Sequence, residues 1–359
     1  MSEQADVVGA AQAAGAESAG AGSSRAEAGS SGAGLSGAET GAGETGSGGA
    51  ETGAGGTGSG GADPAGDGRA EAGSGGAGVG GVTRFGARLA AAMAARGPLC
   101  VGVDPHPGLL TAWGLPVDAS GLARFADICV DALGADVAVL KPQSAFFEAY
   151  GSAGVAVLER LIARAREAGA LVLLDVKRGD IGSTMAAYAA AYLADGSPLA
   201  ADAVTLSPYL GFDSLAPAFE VADKTGRGVF VLALTSNPEG PSVQRAIAPS
   251  GGSVAQSIID SAAAKNRNFS PLGDVGVVIG ATVGDSELAL GRLNGPILAP
   301  GFGQQGGTVA DLGTVFGAEL PRVLASSSRD ILRNGPDEGA LRSAALRIRD
   351  ELIEFVATH

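Results

Sequence analysis

The feature that most limits what this chain can become is an alternation that runs through residues 83–359. Short apolar runs rich in Val, Leu and Ile recur at 99–103, 137–140, 171–174, 203–206, 229–234, 275–279, 297–299 and 322–325. Runs of this length and composition read as buried strands. The segments between them, such as 154–168 and 253–264, are rich in Ala, Leu and Arg with helical spacing. Strand and helix in repeated alternation predict an α/β protein of the (β/α)8 TIM-barrel type. An open doubly wound sheet alternates in the same way. The polar residues favour the barrel: Asp104, Lys141, Asp175, Lys177, Ser207, Thr235 and Ser236 all stand at C-terminal ends of runs, the face on which barrel enzymes build their sites.

Residues 1–82 follow another rule. They contain no Ile, Phe, Tyr or Trp and a single Leu, Leu35. Such a segment cannot bury enough apolar surface to offset a chain entropy of about 1–2 kcal/mol per residue. A disordered Gly/Ala/Ser-rich tail at 1–82, ahead of a barrel domain at 83–359, is therefore expected. Within the tail GAETGAGETGSG (37–48) recurs almost unchanged at 49–60, a low-complexity repeat with no apolar face to stack. Ten acids against two arginines give the tail a net charge of −8, which leaves −6 of the chain's −14 for the remainder. With no basic footprint, nucleic-acid binding is not expected. The first residues lack the positive start and apolar stretch of a secretory signal, and no apolar run approaches the roughly 20 residues that cross a bilayer. A cytoplasmic protein without a membrane partner is the expectation. Cys100 and Cys129 are too few for a disulfide framework and lack metal-ligand spacing, so both read as small buried hydrophobes.

The densest chemistry lies in DVKRGD (175–180), directly after the third run. Side chains at i and i+2 of a strand share a face, which puts Asp175 and Lys177 together; Asp180 follows a Gly-containing turn and adds a second carboxylate near the amine. The hexapeptide alone reads equally well as a salt bridge at a sheet rim. A second signal comes from PGFGQQGG (300–307) after the seventh run and SSSRD (326–330) after the eighth. Barrels often bind phosphate with these two loops, glycines letting backbone N–H groups approach the anion while Arg329 offers a charge-assisted fork. Of the two histidines, His106 in DPHP reads as a loop-positioning residue and His359 is terminal. Neither a metal-ligand cluster nor a Lys-linked cofactor motif is evident.

Five ordered motifs resemble one family: VGVDP (101–105), LKPQSAFFE (140–148), LDVKRGDIGST (174–184), TSNPEG (235–240) and PGFGQQGG (300–307). Over the whole of 83–359 the chain is similar to orotidine 5′-phosphate decarboxylases, in their longer actinobacterial-like type 2 form. The resemblance implies conversion of orotidine 5′-monophosphate (OMP) to UMP and CO2 in pyrimidine biosynthesis, with no cofactor and no metal. It matches Lys141, Asp175, Lys177 and Asp180 to the family's alternating catalytic array, Lys177 being the group that protonates C6. It matches Asp104 and Lys141 to ribose contacts, Ser236 to a pyrimidine contact, and Gln305 and Arg329 to phosphate contacts. It further implies a homodimer in which Asp180 and Thr184 reach the neighbouring subunit's site. Sugar-phosphate barrels of the same superfamily share Asp-x-Lys-x-x-Asp but use Mg²⁺, which wants a carboxylate at the end of the second strand; this chain has Lys141 there. A barrel that only binds nucleotide has no need of an amine between two anions. Loops 237–246 and 303–308 are expected to contribute to a lid driven by phosphate binding.

Overall fold

Eight parallel strands close into a barrel: β1 (Leu99–Val103), β2 (Val139–Pro142), β3 (Leu171–Arg178), β4 (Ala203–Leu206), β5 (Gly228–Leu234), β6 (Val275–Ile279), β7 (Ile297–Pro300) and β8 (Val323–Ser327), with β8 pairing back onto β1. The computed structural model describes residues 83–249, 251–284, 287–303 and 306–359. The expected tail at 1–82 and the phosphate contact assigned to Gln305 lie outside the described residues. Every apolar run forms a strand. Four strands extend past their runs, β2 taking in Lys141 and Pro142, β3 taking in Asp175 to Arg178, β7 taking in Pro300, and β8 taking in Ser326 and Ser327.

The first helix among the described residues, α1 (Phe85–Arg96), precedes the barrel; the crossovers then carry α2 (Ala119–Leu133), α3 (Gly151–Glu167), α4 (Gly182–Leu193), α5 (Ala216–Thr225), α6 (Val254–Asn266) and α7 (Val309–Phe316), and α8 (Glu338–Thr358) follows β8. Their starts are set by local chemistry. Asp118 accepts hydrogen bonds from the Ser120 and Gly121 amides at the start of α2, and Thr308 and Asp311 form a capping box at α7; caps of this kind satisfy amides that have no intrahelical partner. One expectation fails. Between β6 and β7 no helix occurs among the described residues. That connection holds Gly280, Gly284, Gly291, Gly295 and Pro296, and glycine costs a helix about 1 kcal/mol per residue relative to alanine. Among the described residues no helix is long and apolar enough to cross a membrane.

Two separate apolar clusters hold the molecule. The larger packs the outer strand faces against the helices. The smaller joins Cys100, Val139, Leu173, Ala203, Phe230, Val278, Leu298 and Leu324, drawn from eight different strands, to Phe85, Leu89 and Ala92 of α1. Only the inside of a closed barrel brings all eight strands to one cluster, so α1 is a plug. Phe85 meets Phe230 edge to face, ring centroids 6.0 Å apart. Gly228 makes room for it: a Cβ there would fall 2.2 Å from the Phe85 ring. Two residues further along each strand the same inward-facing rows become polar on β2, β3, β4 and β8, at Lys141, Asp175, Thr205 and Ser326. The apolar plug is thus the dry floor beneath those side chains. Replacing Phe85 by Ala should destabilise the protein by about 3–5 kcal/mol through lost burial and a residual cavity, measured as a lowered urea midpoint.

Candidate active site

At the centre of the pocket the Asp175 carboxylate is gripped from three strands. Lys177 Nζ lies 2.7 and 2.8 Å from its two oxygens, Lys141 Nζ donates to Oδ2 at 3.2 Å, and the Thr205 hydroxyl donates to Oδ1 at 2.7 Å. Asp175 and Lys141 are each 6 % exposed and Thr205 1 %, whereas the Lys177 side chain is 46 % exposed and reaches upward. Burial by itself raises a carboxyl's pKa; here the ammoniums of Lys141 and Lys177 and the hydrogen bonds outweigh it and hold Asp175 at about 2. Lys141 moves the other way. Burial pulls its pKa down, but the Asp175 and Asp104 carboxylates prevail and hold it above the ordinary lysine value. Both groups are therefore ionised at neutral pH.

Asp175 and Lys177 meet as the i, i+2 spacing predicts, but regular strand geometry is not the cause. Lys177 has φ +45°, in the left-handed region that non-glycine residues seldom occupy. The ladder between β3 and β4 slips here: Leu174 pairs with Val204, and Arg178 with Leu206. Gly179 then passes so close to the chain after β4 that a Cβ would fall 2.2 Å from the Ser207 carbonyl oxygen. The Gly of the hexapeptide is thereby explained as a close approach between backbones.

A cavity of about 250 Å³ opens above this array, lined by Asp104, Lys141, Asp175, Lys177, Ser328 and Arg329 over apolar Leu232, Val278 and Leu298. Buried Asp104 Oδ1 and Ser328 Oγ have no hydrogen-bond partner among the described residues, a costly arrangement in an interior that excludes water. Gly301 and Gly303 have φ of +94° and +90°, conformations open to glycine. At Gly303 a Cβ would also collide with the Asp330 carboxylate, 2.1 Å away.

Of the residues expected from the sequence, the structure gathers Asp104, Lys141, Asp175, Lys177 and Arg329 around one cavity. Ser236 stands beyond the end of β5, exposed, with its neighbour Thr235 lining the cavity in its place. Asp180 and Thr184 do not line their own chain's cavity; Thr184 is exposed near the start of α4, and Asp180 accepts a bond from the Ile181 amide. Thr205 and Gln143 were missed. Thr205 left a signal, as the one polar side chain of the buried strand AVTL. Gln143 Oε1 lies 3.5 Å from Lys177 Nζ.

Fold and pocket together define a (β/α)-barrel protein with a cluster of charged side chains at its C-terminal mouth. The family model described as orotidine 5′-phosphate decarboxylase / HUMPS family matches residues 97–344. The chain is 62 % identical over 264 residues to an orotidine 5′-phosphate decarboxylase of Salinispora arenicola, covering 74 % of this chain and 95 % of that protein. To the Streptomyces coelicolor enzyme of the same name it is 58 % identical over 269 residues, 75 % of this chain and 96 % of that one. A crystal structure from Streptomyces avermitilis matches with TM-score 0.75 at 57 % identity, over 77 % of this chain and 97 % of its own. Leishmania donovani OMP decarboxylase matches with TM-score 0.59 at 29 % identity, over 76 % and 98 %. The chain belongs to the orotidine 5′-phosphate decarboxylase / HUMPS family.

The depressed Asp175 pKa has a consequence for stability. A carboxyl whose folded pKa lies below its ordinary 3.8 stabilises the fold fully above about pH 4, and the contribution, about 2 kcal/mol, is lost as pH falls through the folded value. Asp175→Asn leaves the two ammoniums facing each other without the carboxylate between them, and Asp104 is left as the carboxylate acting on Lys141. It should destabilise the protein at pH 7 by about 3–5 kcal/mol, with the deficit against wild type narrowing between pH 4 and 2. Denaturant unfolding across that range measures it.

Proposed function

We propose that this pocket decarboxylates OMP by fixed charge, with Lys177 as the proton donor. Orotidine 5′-phosphate decarboxylation in pyrimidine biosynthesis, a carboxy-lyase activity, follows from membership of the family at this level of identity. The residue roles are our reading. When the C6–carboxylate bond breaks, CO2 leaves and the electron pair stays on C6 in an in-plane orbital that the ring π-system absorbs poorly. The stabilising charge must come from outside the ring. Lys177 Nζ stands next to that position, forms the C6–H bond with one of its protons, and regains a proton from solvent. Asp175, ionised and immobile, opposes the substrate carboxylate, while the apolar wall of Leu232, Val278 and Leu298 suits neutral CO2 better than an anion.

The observation that carries this reading is the Lys141–Asp175–Lys177 array: a buried carboxylate held ionised by two ammoniums beneath an open cavity. One charge pair at about 4 Å and an effective dielectric near 20 is worth about 4 kcal/mol, roughly a thousandfold in rate. The remainder comes from the other charges acting together in a closed, dry site. The orphaned Asp104 Oδ1 accepts from a ribose hydroxyl. Arg329, exposed at the cavity with no ion pair among the described residues, holds the phosphate beside the Gly301 and Gly303 turn, with Gln305 from the same loop; Ser236 addresses the pyrimidine. Lys177→Ala should lower kcat at least about a thousandfold while UMP still binds, as followed by loss of orotate absorbance and by calorimetry. Unchanged turnover would remove Lys177 from the role.

We also assign the active form to a homodimer in which Asp180 and Thr184 complete the partner's site. What supports this is their position outside their own cavity and the exposed apolar side chain of Ile181 (61 %), adjacent in sequence to Asp180. Mixing inactive Lys177→Ala and Asp180→Asn proteins through reversible unfolding should restore about a quarter of wild-type activity, because half the dimers are mixed and one of their two sites is intact. No recovery on mixing would place Asp180 within its own subunit's site. The decarboxylase domain is taken as 83–359, and a cytoplasmic location goes with that assignment.

A further inference from the structure

The geometry points to Thr205 as a positioning residue for the reaction: its hydroxyl holds the Lys177 backbone in the conformation that aims the ammonium into the pocket, and fixes the Asp175 carboxylate beneath it. The inference rests on the reading of Lys177 as proton donor. Thr205 Oγ1 accepts a hydrogen bond from the Lys177 backbone N–H at 3.0 Å and donates to Asp175 Oδ1 at 2.7 Å. A hydroxyl has one proton and two lone pairs. Asp175 is ionised and can only accept, so the proton is committed to it. A lone pair is left to face the Lys177 N–H, and the hydroxyl has one way to sit.

The need for such a group is visible in the ladder. From Leu174 to Arg178 β3 takes four steps, while β4 takes two from Val204 to Leu206. Thr205 is the residue opposite the slip. Successive amides of a strand serve opposite neighbours, and the Leu171 N–H donates to Ala138 beside β2, so in a regular strand the Lys177 N–H would face β2; across the slip it turns to the Thr205 side-chain oxygen of β4 instead. Left-handed φ at a lysine persists only where the surroundings over-determine it, and this bond is one of those constraints. Thr205 is 1 % exposed, so its hydroxyl is held by protein groups on nearly every side. Without it the Lys177 N–H loses its acceptor, the backbone relaxes toward the extended region, and the amine moves off the position above Asp175. The same loss leaves Asp175 Oδ1 with the Lys177 ammonium as its remaining partner.

The test uses the full chain with Thr205→Val, Thr205→Ser and Thr205→Ala, measuring kcat, UMP affinity and the pH dependence of kcat. Displacement of a reacting group by about 1 Å costs on the order of a hundredfold in rate. Thr205→Val should therefore lose about tenfold to a hundredfold in kcat while UMP affinity stays within about threefold. Thr205→Ser, which keeps the hydroxyl, should stay within about threefold of wild type. The acid limb of the kcat profile should shift to higher pH in Thr205→Val, because Asp175 has lost a donor that favours its ionised form. If Thr205→Val does not fold, the Ser and Ala variants carry the same contrast. The inference is overturned if the hydroxyl-free variants keep kcat within about threefold, or if Thr205→Ser falls as far as they do. An inactive Lys177→Ala beside a fully active Thr205→Val would remove the positioning role and leave the proton-donor reading standing.

Discussion

Everything at the mouth of this barrel depends on keeping one carboxylate charged where water cannot reach it. Moving a carboxylate into a protein interior costs several kcal/mol even after relaxation, and Asp175 is offset by two ammoniums within 3.2 Å and a hydroxyl at 2.7 Å. The three partners come from different places in the sequence: Lys141 from β2, Thr205 from β4, Lys177 from the far end of β3 itself. No local segment could bring them together. The parallel pairing of β2 with β3 and β3 with β4 does so, and the array exists only once these three strands have paired.

The apolar half of the interior gives these charges their strength. Coulomb attraction scales inversely with the local dielectric, and below Lys141, Asp175 and Thr205 the same inward rows continue as Val139, Leu173 and Ala203, sealed by Phe85 and Leu89 of α1. A helix placed before the first strand therefore acts on chemistry at the opposite end of the barrel by keeping water out from below. Strand periodicity does the rest, since a step of two residues turns a packing position into a functional one on the same face.

The fold was legible because each strand is a compact apolar run set off by polar or glycine-rich flanks, and eight such runs admit few architectures. The missing helix between β6 and β7 was legible too, in five helix-breaking residues, but the regularity of the other crossovers masked it. Within the site, side chains at strand ends could be read from position alone: Asp104, Lys141, Asp175 and Lys177. The sequence does not show a backbone departing from its element, so the left-handed Lys177 and the slipped ladder that makes Thr205 its partner came only from the fold. The partner-site role expected of Asp180 and Thr184 comes from resemblance, and neither lines the cavity of its own chain.

The proposal that Lys177 is the proton donor rests on the electrostatics of its neighbours in the array. Asp175, held at about 2, has no proton to give near neutral pH. Lys141 has protons but sits buried between Asp175 and Asp104, and the carboxylates that hold its pKa above the ordinary value make it a poorer acid than an unperturbed amine. Its service is to keep Asp175 ionised. Lys177 shares only Asp175 with it and extends half-exposed into the cavity, where substrate can meet it and solvent can return the proton it loses. On that proposal, a carbanion forming beside the ammonium gives Lys177 a second anionic neighbour at the moment of bond cleavage. An interaction that strengthens only as charge develops is the kind that lowers a barrier instead of merely tightening ground-state binding.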